Sequence, residues 1–382
     1  MHRLVISTVG TSLLTNQIRL RVDPKNWTEL INITANFSQE QINHSFPEAL
    51  GIIEELKQRA EQKLDEGNTL EIREASAELN GIYGLYQEQL SNGKLDYHCL
   101  ITTDTYQGII TAEIIKDFLQ TKVNVVEIYK PDNLSTANSS DFTKGIDNLL
   151  DWIDKKVNEA RKNKYTIYFN LVGGFKALQG YMNTIGMFYA NHIVYVFEGK
   201  NSETITIPRL PIIEDKDEIK KHVIPLTLLD NGASLSPSET VEVPEALVAE
   251  IDGRMTISNW GQLIWKRCKD EFLSQNLLEG FPRIKYADSF RGDYKTIRDK
   301  NDKILLHNTI AKVSRLLQES NGDTRAVGKQ VEYYPYQGAK DKEGVDHFYI
   351  GKQYRVSCKK QGEILMLRHY GTHKYVEGKE TT

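Results

Sequence analysis

Residues 4–16 read Leu4-Val5-Ile6-Ser7-Thr8-Val9-Gly10-Thr11-Ser12-Leu13-Leu14-Thr15-Asn16. An apolar, β-branched run of strand length, with Arg3 before it, gives way to a glycine and small hydroxylated residues. That is how a buried strand feeds a turn at its carboxyl end. The same grammar recurs downstream. Strands are expected at Tyr97–Thr102, Val123–Tyr129, Tyr165–Leu171 and Ile193–Phe197. Helices are expected at Pro47–Leu64, Thr69–Leu90, Gly108–Leu119, Ser140–Asn163 and Lys176–Ala190. Alternating strands and helices over residues 1–210 predict an α/β, Rossmann-like, doubly wound and mostly parallel sheet with helices on both faces.

Two further strand ends repeat the pattern, Thr102-Thr103-Asp104-Thr105 and Gly173-Gly174-Phe175-Lys176. In such a sheet, ligands sit beyond the carboxyl ends of the strands, where backbone N–H groups and helix N-termini favour phosphate. Gly173 and Gly174 would allow close backbone approach, and Lys176 would bring an ammonium to the same anion. Glycine and serine also serve plain strand-to-helix turns, and neither G-x-G-x-x-G nor G-x-x-x-x-G-K-[ST] occurs. Asp104 reads either as a cap for the next helix or as a ribose ligand, capping being the better fit.

With Asn170-Leu171-Val172-Gly173-Gly174-Phe175-Lys176, the run from Leu4 to Asn16 resembles the CARF domain of type III CRISPR accessory proteins over about residues 1–210. The resemblance implies a symmetric homodimer whose two domains share one cyclic oligoadenylate, usually the tetramer. It implies that Gly10, Thr11, Ser12, Thr103, Gly173, Gly174 and Lys176 surround that ligand. Some such domains also cleave it slowly, with equivalents of Ser12 and Lys176, which leaves a ring nuclease as an alternative reading.

Length, 382 residues, exceeds what one core usually organises. With 40% apolar and 26% charged residues the chain has a globular composition. Neither an eighteen-residue apolar stretch nor a signal peptide is seen, so a soluble, cytoplasmic protein is expected, with no membrane partner. Cys99, Cys268 and Cys358 lie far apart and form no C-x-x-C pair, as expected of reduced, buried thiols. The net charge of −4 is unevenly spread, because residues 291–382 hold 18 Lys+Arg against 12 Asp+Glu, a balance of +6. A basic end on an acidic body suits a polyanion partner or a solvated face.

Residues 211–287 are expected to form a small helical connector, with helices at Pro244–Ile251 and Ser258–Asn276, the second capped by Ser258 or Thr256. Residues 288–382 are expected to be α+β: helical spacing over Lys295–Glu319, then strands at Gln330–Tyr336, His347–Ile350, Tyr354–Lys359 and Ile364–His369. A turn at Gly371-Thr372 should re-aim a basic, aromatic tail. Metal-free RNA cleavage needs a base for the 2′-OH, cations for the phosphorane and an acid for the leaving oxygen, roles open to His, Arg, Lys and Tyr. His369 and His373 have i, i+4 spacing, but Gly371 lies between them and no third ligand is near in sequence, so no metal site is expected.

The order helices, Lys352-Gln353-Tyr354-Arg355-Val356, then Ile364 to Val376, resembles the RelE toxin superfamily over roughly residues 290–382. This implies a ribonuclease acting on ribosome-bound mRNA. Arg355 would match the arginine that holds the phosphate and Tyr375 the tail aromatic, with Lys352, Arg368 and His373 as further catalytic candidates. His373-Lys374 stands where relatives often carry arginine, which leaves the acid and the base unassigned. Jointly the resemblances imply a CARF–RelE ribonuclease switched on by cyclic tetra-adenylate as allosteric activator, with no cofactor. A non-catalytic, ligand-gated DNA-binding regulator is the alternative of another class. Few cations beyond Lys266, Arg267 and Lys269 in the connector argue against it.

Overall fold

In a computed structural model, which describes residues 2–135, 138–197, 203–328, 330–335 and 344–381, the chain divides into two units, Met1–Ile213 and Glu214–Thr382. The first unit runs β1 (Arg3–Thr8), α1 (Ser12–Thr15), α2 (Asn26–Ile33), α3 (Gln39–Ser45), α4 (Pro47–Glu66), α5 (Thr69–Ala75), α6 (Ala77–Leu85), β2 (Tyr97–Ile101), α7 (Tyr106–Gln120), β3 (Val125–Tyr129), α8 (Ser139–Lys162), β4 (Thr166–Asn170), α9 (Lys176–Tyr189), β5 (His192–Val196) and β6 (Thr204–Pro208). Its sheet has the order β3-β2-β1-β4-β5-β6. The first five strands are parallel, and β6 is antiparallel to β5.

Leu4, Val5 and Ile6 are buried because β1 is central and both its faces are covered, so alternation is absent from the strand. Burial of each such side chain contributes about 1.5–3 kcal/mol. Strand order reverses between β1 and β4, which pair in register from Arg3↔Thr166 to Ser7↔Asn170. Beyond the carboxyl ends of these two strands lies the crevice that the topology leaves for a ligand.

The first unit departs from the sequence reading in three places. The single helix expected over Thr69–Leu90 is two, because the Ser76 hydroxyl accepts the Leu79 N–H and starts a new helix. Helices α1 to α3 were not foreseen, although Ser38 and Gln41 form a capping box that the sequence displays. The edge strand β6 was missed too; it ends at Pro208, which suits an edge because proline has no N–H to pair.

The second unit runs α10 (Lys216–Lys221), α11 (Val223–Asp230), β7 (Val248–Ile251), β8 (Arg254–Ile257), α12 (Asn259–Leu273), β9 (Ile284–Tyr286), α13 (Asp288–Thr296), α14 (Lys300–Glu319), α15 (Thr324–Val327), β10 (Tyr333–Pro335), β11 (Val345–Ile350), β12 (Tyr354–Gln361), β13 (Ile364–Thr372) and α16 (His373–Thr381). Its sheet is ordered β10-β11-β12-β13-β9, antiparallel except that β9 runs parallel to β13.

Residues 211–287 are not a helical connector here. Pro244–Ile251 ends in β7, which pairs with β8 through an Asp252-Gly253 turn at φ +51° and +75°, the left-handed conformations a tight hairpin needs. Ser258 does cap α12, accepting from Gly261 N at 2.9 Å. Trp265, Phe272 and Leu228 share one core with Phe290, Ile310, Phe348 and Val356, and β9 adds a strand to the sheet. The tail differs as well: β13 continues straight through Gly371-Thr372 and α16 follows. Tyr336, expected in a strand, lies outside the described residues. No helix of the described residues is long and apolar enough to cross a membrane.

His307 of α14 joins the two halves of this core. Its Nδ1 donates to the Leu273 carbonyl at 2.8 Å, and its Nε2 accepts the Leu278 N–H at 3.1 Å. Burial pushes the imidazole pKa down to about 4. The unfolded chain, with an ordinary histidine near 6.5, therefore binds the proton more tightly. Stability from His307 is complete above pH 6.5 and is lost as pH falls toward 4, by about 3 kcal/mol. His98 and His347 are pushed down the same way, so the discriminating measurement is a difference. Urea unfolding at pH 7.5 and 5.0 should show a smaller loss on acidification in His307→Gln than in the wild type; equal losses would refute the assignment.

Candidate functional site

In the first unit, the turns after β1 and β4 touch. A Cβ on Gly10 would lie 3.0 Å from the Gly174 nitrogen, and the Thr8 hydroxyl donates to the Gly173 carbonyl at 2.5 Å. Gly174 sits at φ +104°, where a Cβ would meet that of Thr8 at 2.8 Å, so glycine is required there. Behind the loop, the Gln179 side-chain nitrogen faces the carbonyls of Leu171, Val172 and Gly173 at 3.1, 3.4 and 3.1 Å. Helix α9 begins at Lys176 with no side-chain cap from Phe175, which leaves its first-turn N–H groups and positive dipole end at the crevice. Lys176 is exposed.

Beneath the loops lies a residue the sequence did not advertise. Glu78 of α6 is fully buried, and its Oε1 accepts the Gly10 N–H at 2.8 Å. Its Oε2 accepts the Ser76 hydroxyl at 2.8 Å and the Ser12 hydroxyl at 3.4 Å. Asn170 Nδ2 donates to the Glu78 carbonyl at 2.9 Å and to Ser7 Oγ at 3.2 Å, which ties α6 to the ends of β1 and β4. A Cβ at position 173 would lie 2.1 Å from Glu78 Oε1. Glu78 packing is thus by itself enough to require glycine at position 173. An acidic residue on a helix carries no spacing signal that could have revealed this.

The expected ligand residues consequently divide. Gly10, Gly173, Gly174 and Lys176 converge on the crevice, with Thr11 half-exposed at its edge. The Gly10 N–H and the Ser12 hydroxyl are engaged by Glu78, and Ser12 Oγ also accepts the Ala77 N–H at 3.3 Å. Thr103 is buried, its Oγ1 2.9 Å from that of Thr105. Thr105, not Asp104, caps α7, accepting from Gly108 N at 3.2 Å. Asp104 is half-buried, and burial pushes its carboxyl pKa up.

In the second unit, the site forms on the sheet face opposite the core residues Phe348, Val356 and Leu367. Arg355 of β12 lies directly across from Tyr349 and Gly371, and opposed residues share a face. Its guanidinium donates to the Tyr349 hydroxyl and lies 4.3 Å from that ring's centroid, a cation–π contact. Arg355 Nε is buried without a hydrogen-bond partner among the described residues. His347, two residues along β11 and so on the same face, contacts the rings of Tyr349 and Tyr334 at 5.8 and 6.1 Å. Burial first, then Arg355 and His373, push its pKa down to about 4, so His347 is neutral at pH 7. Neither His347 nor Tyr349 was singled out from sequence; their alternation on one strand is the signal that was there.

The five expected catalytic residues are placed unequally. His373 opens α16 half-exposed, with Nδ1 3.8 Å from Glu377 Oε2. Tyr375 lays its ring on Gly371, where a Cβ would come within 2.5 Å of Tyr375 Cδ1, so this glycine seats a ring and does not make a turn. The Tyr375 hydroxyl donates to Asp293 Oδ1 at 2.6 Å, a bond to a carboxylate that raises the phenol pKa to about 12. Asp293 Oδ2 also accepts the Tyr370 N–H at 3.0 Å and lies 3.1 Å from His369 Nδ1. It thereby satisfies β13 just where β9 stops pairing. Arg368, at a bulge, is turned to Glu380 of α16 at 3.0 and 2.9 Å, and Ser357 donates to the same carboxylate at 2.7 Å. Lys352 is exposed in the β11–β12 turn, lining a cleft of ≈ 360 Å³ with Lys312 and Tyr349. Arg355 lies across from Gly371, on which the Tyr375 ring rests, whereas Arg368 is paired with Glu380 and Lys352 is exposed in a turn.

Among the described residues no group of three His, Cys, Asp or Glu side chains is placed to hold a metal ion. Cys99, Cys268 and Cys358 are free and buried.

Residues 73–210 match the family model described as CRISPR-associated protein (Cas_APE2256). The matched stretch is similar to that family from the end of α5 to just past β6. It contains Glu78 and the Gly173-Gly174-Lys176 loop but not the turn after β1.

Proposed function

We propose that the chain is a CRISPR-defence effector in which a cyclic oligoadenylate, the tetramer, binds the first unit and switches on metal-independent RNA cleavage by the second. The observation that carries the reading is the meeting of the β1 and β4 turns at the point where strand order reverses, with an uncapped helix N-terminus and Lys176 at its mouth. Such an arrangement suits an anion, and its β4 half, with Lys176, lies inside the stretch that resembles a CRISPR-associated family. In the second unit, Arg355 stabilises the phosphorane. His373 and Tyr375 lie at hand for the two proton transfers, with the order of acid and base left open. The working form is a symmetric CARF-like dimer, and the substrate is mRNA, bound on the ribosome as in RelE-like toxins. A ring-nuclease role is less favoured, because the Ser12 hydroxyl is held by Glu78 and Ala77.

Naked RNA should be cut when cyclic tetra-adenylate is added, and the cutting should persist in EDTA. RNA left intact with the ligand and translating ribosomes both present, or naked-RNA cleavage abolished by EDTA and restored by a divalent ion, refutes the proposal. Lys176→Ala is expected to weaken cyclic tetra-adenylate binding about tenfold, through loss of one charge-assisted phosphate contact. Calorimetry returning the wild-type affinity would remove Lys176 from the site.

A further inference from the structure

At the edge of the sheet, on the face opposite Arg355, a cleft of ≈ 580 Å³ opens among α13, the start of α14 and the ends of β12 and β13. Its volume is that of a small-ligand site. Tyr354 and Tyr370 line it with ring centroids 5.3 Å apart and planes 28° from parallel, and Tyr375 borders it through Gly371. The Tyr370 hydroxyl, on a residue only 5% exposed, has no hydrogen-bond partner among the described residues. Three aspartates line the same cleft, and two have evident structural duties. Asp293 serves β13, His369 and Tyr375, and Asp299 caps α14 by accepting from Asn301 N and Asp302 N. Asp302, in the first turn of α14, has no such duty: it lies by Tyr354, where its carboxylate pushes the phenol pKa up.

We infer that this cleft is a nucleobase subsite, in which an RNA base stacks on Tyr354 while Asp302 accepts a hydrogen bond from an exocyclic amino group. The inference rests on the reading of the second unit as an RNA-binding module and adds its base preference. Flat aromatic walls suit any base, since every base has a π-face. Carboxylates only accept hydrogen bonds, so they favour adenine, cytosine and guanine, which carry amino groups, over uracil, whose edge is mostly acceptor. An acidic cleft repels phosphate, so the backbone stays outside, toward the exposed Arg298 that borders it. The subsite therefore takes one base of the chain and leaves its phosphates outside the cleft.

The probe is a set of 2′-O-methyl tetranucleotides, oligo-uridine with one position replaced by adenosine, cytidine or guanosine. These lack the 2′-OH nucleophile and report binding whether or not the protein cuts RNA. The wild type should bind at least one amino-bearing replacement about five- to a hundredfold more tightly than oligo-uridine. Asp302→Asn, nearly isosteric but able to turn its amide and donate to an acceptor edge as well, should erase most of that preference, and Tyr354→Ala should weaken all members together. Equal affinity of the wild type for all probes, or an unchanged preference in a folded Asp302→Asn protein, overturns the subsite. Base preference without cleavage of ordinary RNA would refute the catalytic proposal and leave the subsite standing; cleavage without base preference would do the reverse.

Discussion

Replacing Arg355 by alanine should slow ligand-stimulated RNA cleavage about a hundred- to a thousandfold, with cyclic tetra-adenylate affinity unchanged. The size follows from losing one preorganised donor to a developing oxyanion, about 2.7–4 kcal/mol of barrier. Arg355 is well preorganised, because the Tyr349 ring and hydroxyl fix its guanidinium. Its Nε has no protein hydrogen-bond partner among the described residues, so truncation leaves no such partner behind there. Arg355→Lys keeps the charge but not the planar fork, and should recover only part of the rate. Single-turnover cleavage, measured beside ligand binding, distinguishes the readings. A wild-type rate in the alanine variant removes Arg355 from the chemistry, while weakened ligand binding would mean a general structural defect. Deleting the tail from Gly371 is a poorer test. Glu380 of α16 anchors Arg368 and Ser357, so deletion would strip the sheet of a packed helix as well as of His373 and Tyr375.

Glu78→Ala should destabilise the first unit by about 3 kcal/mol and abolish ligand binding. The substitution orphans the buried Gly10 N–H and the Ser76 hydroxyl and opens a void under Gly173. Each unsatisfied buried donor costs about 1–3 kcal/mol, and the void adds to that. Glu78→Gln retains an acceptor for Gly10 and nearly the same volume, and should keep most of the stability. Hydrogen exchange resolved by peptide is the measurement, with faster exchange expected in the turns after β1 and β4 in the alanine variant. Unchanged protection there would show that Glu78 does not support the crevice.

Local patterns in the sequence were enough to place the central strands of the first unit. Leu4-Val5-Ile6 must be buried wherever it pairs, and the strand it opens ends at Thr8, just before Gly10. The location of the crevice followed from strand and helix alternation alone, since parallel strands bring all their carboxyl ends to one edge. Helix starts were legible where a side chain competes for backbone N–H groups, as at Ser258, and were misread where two neighbours compete, as at Asp104 and Thr105.

Long-range contacts decided the rest. From the chain alone Gly173 reads as room for phosphate and Gly371 as a turn; in space they make room for Glu78 and Tyr375, 95 and 4 residues away in sequence. Arg355 and the looser candidate Arg368 both stay open in the sequence until Glu380 claims Arg368 and Tyr349 orients Arg355. Residues 211–287 look like a connector because the strand and helix alternation breaks after Pro211 and a Gly/Ser/Pro loop follows, yet His307 and β9 bind them into the second core. Sequence by itself determined which segments form strands and helices and where basic and aromatic residues accumulate, because propensity and periodicity act over a few residues. Only tertiary structure decided which polar groups remain available for chemistry, because buried polar groups must find partners and those partners come from distant parts of the chain.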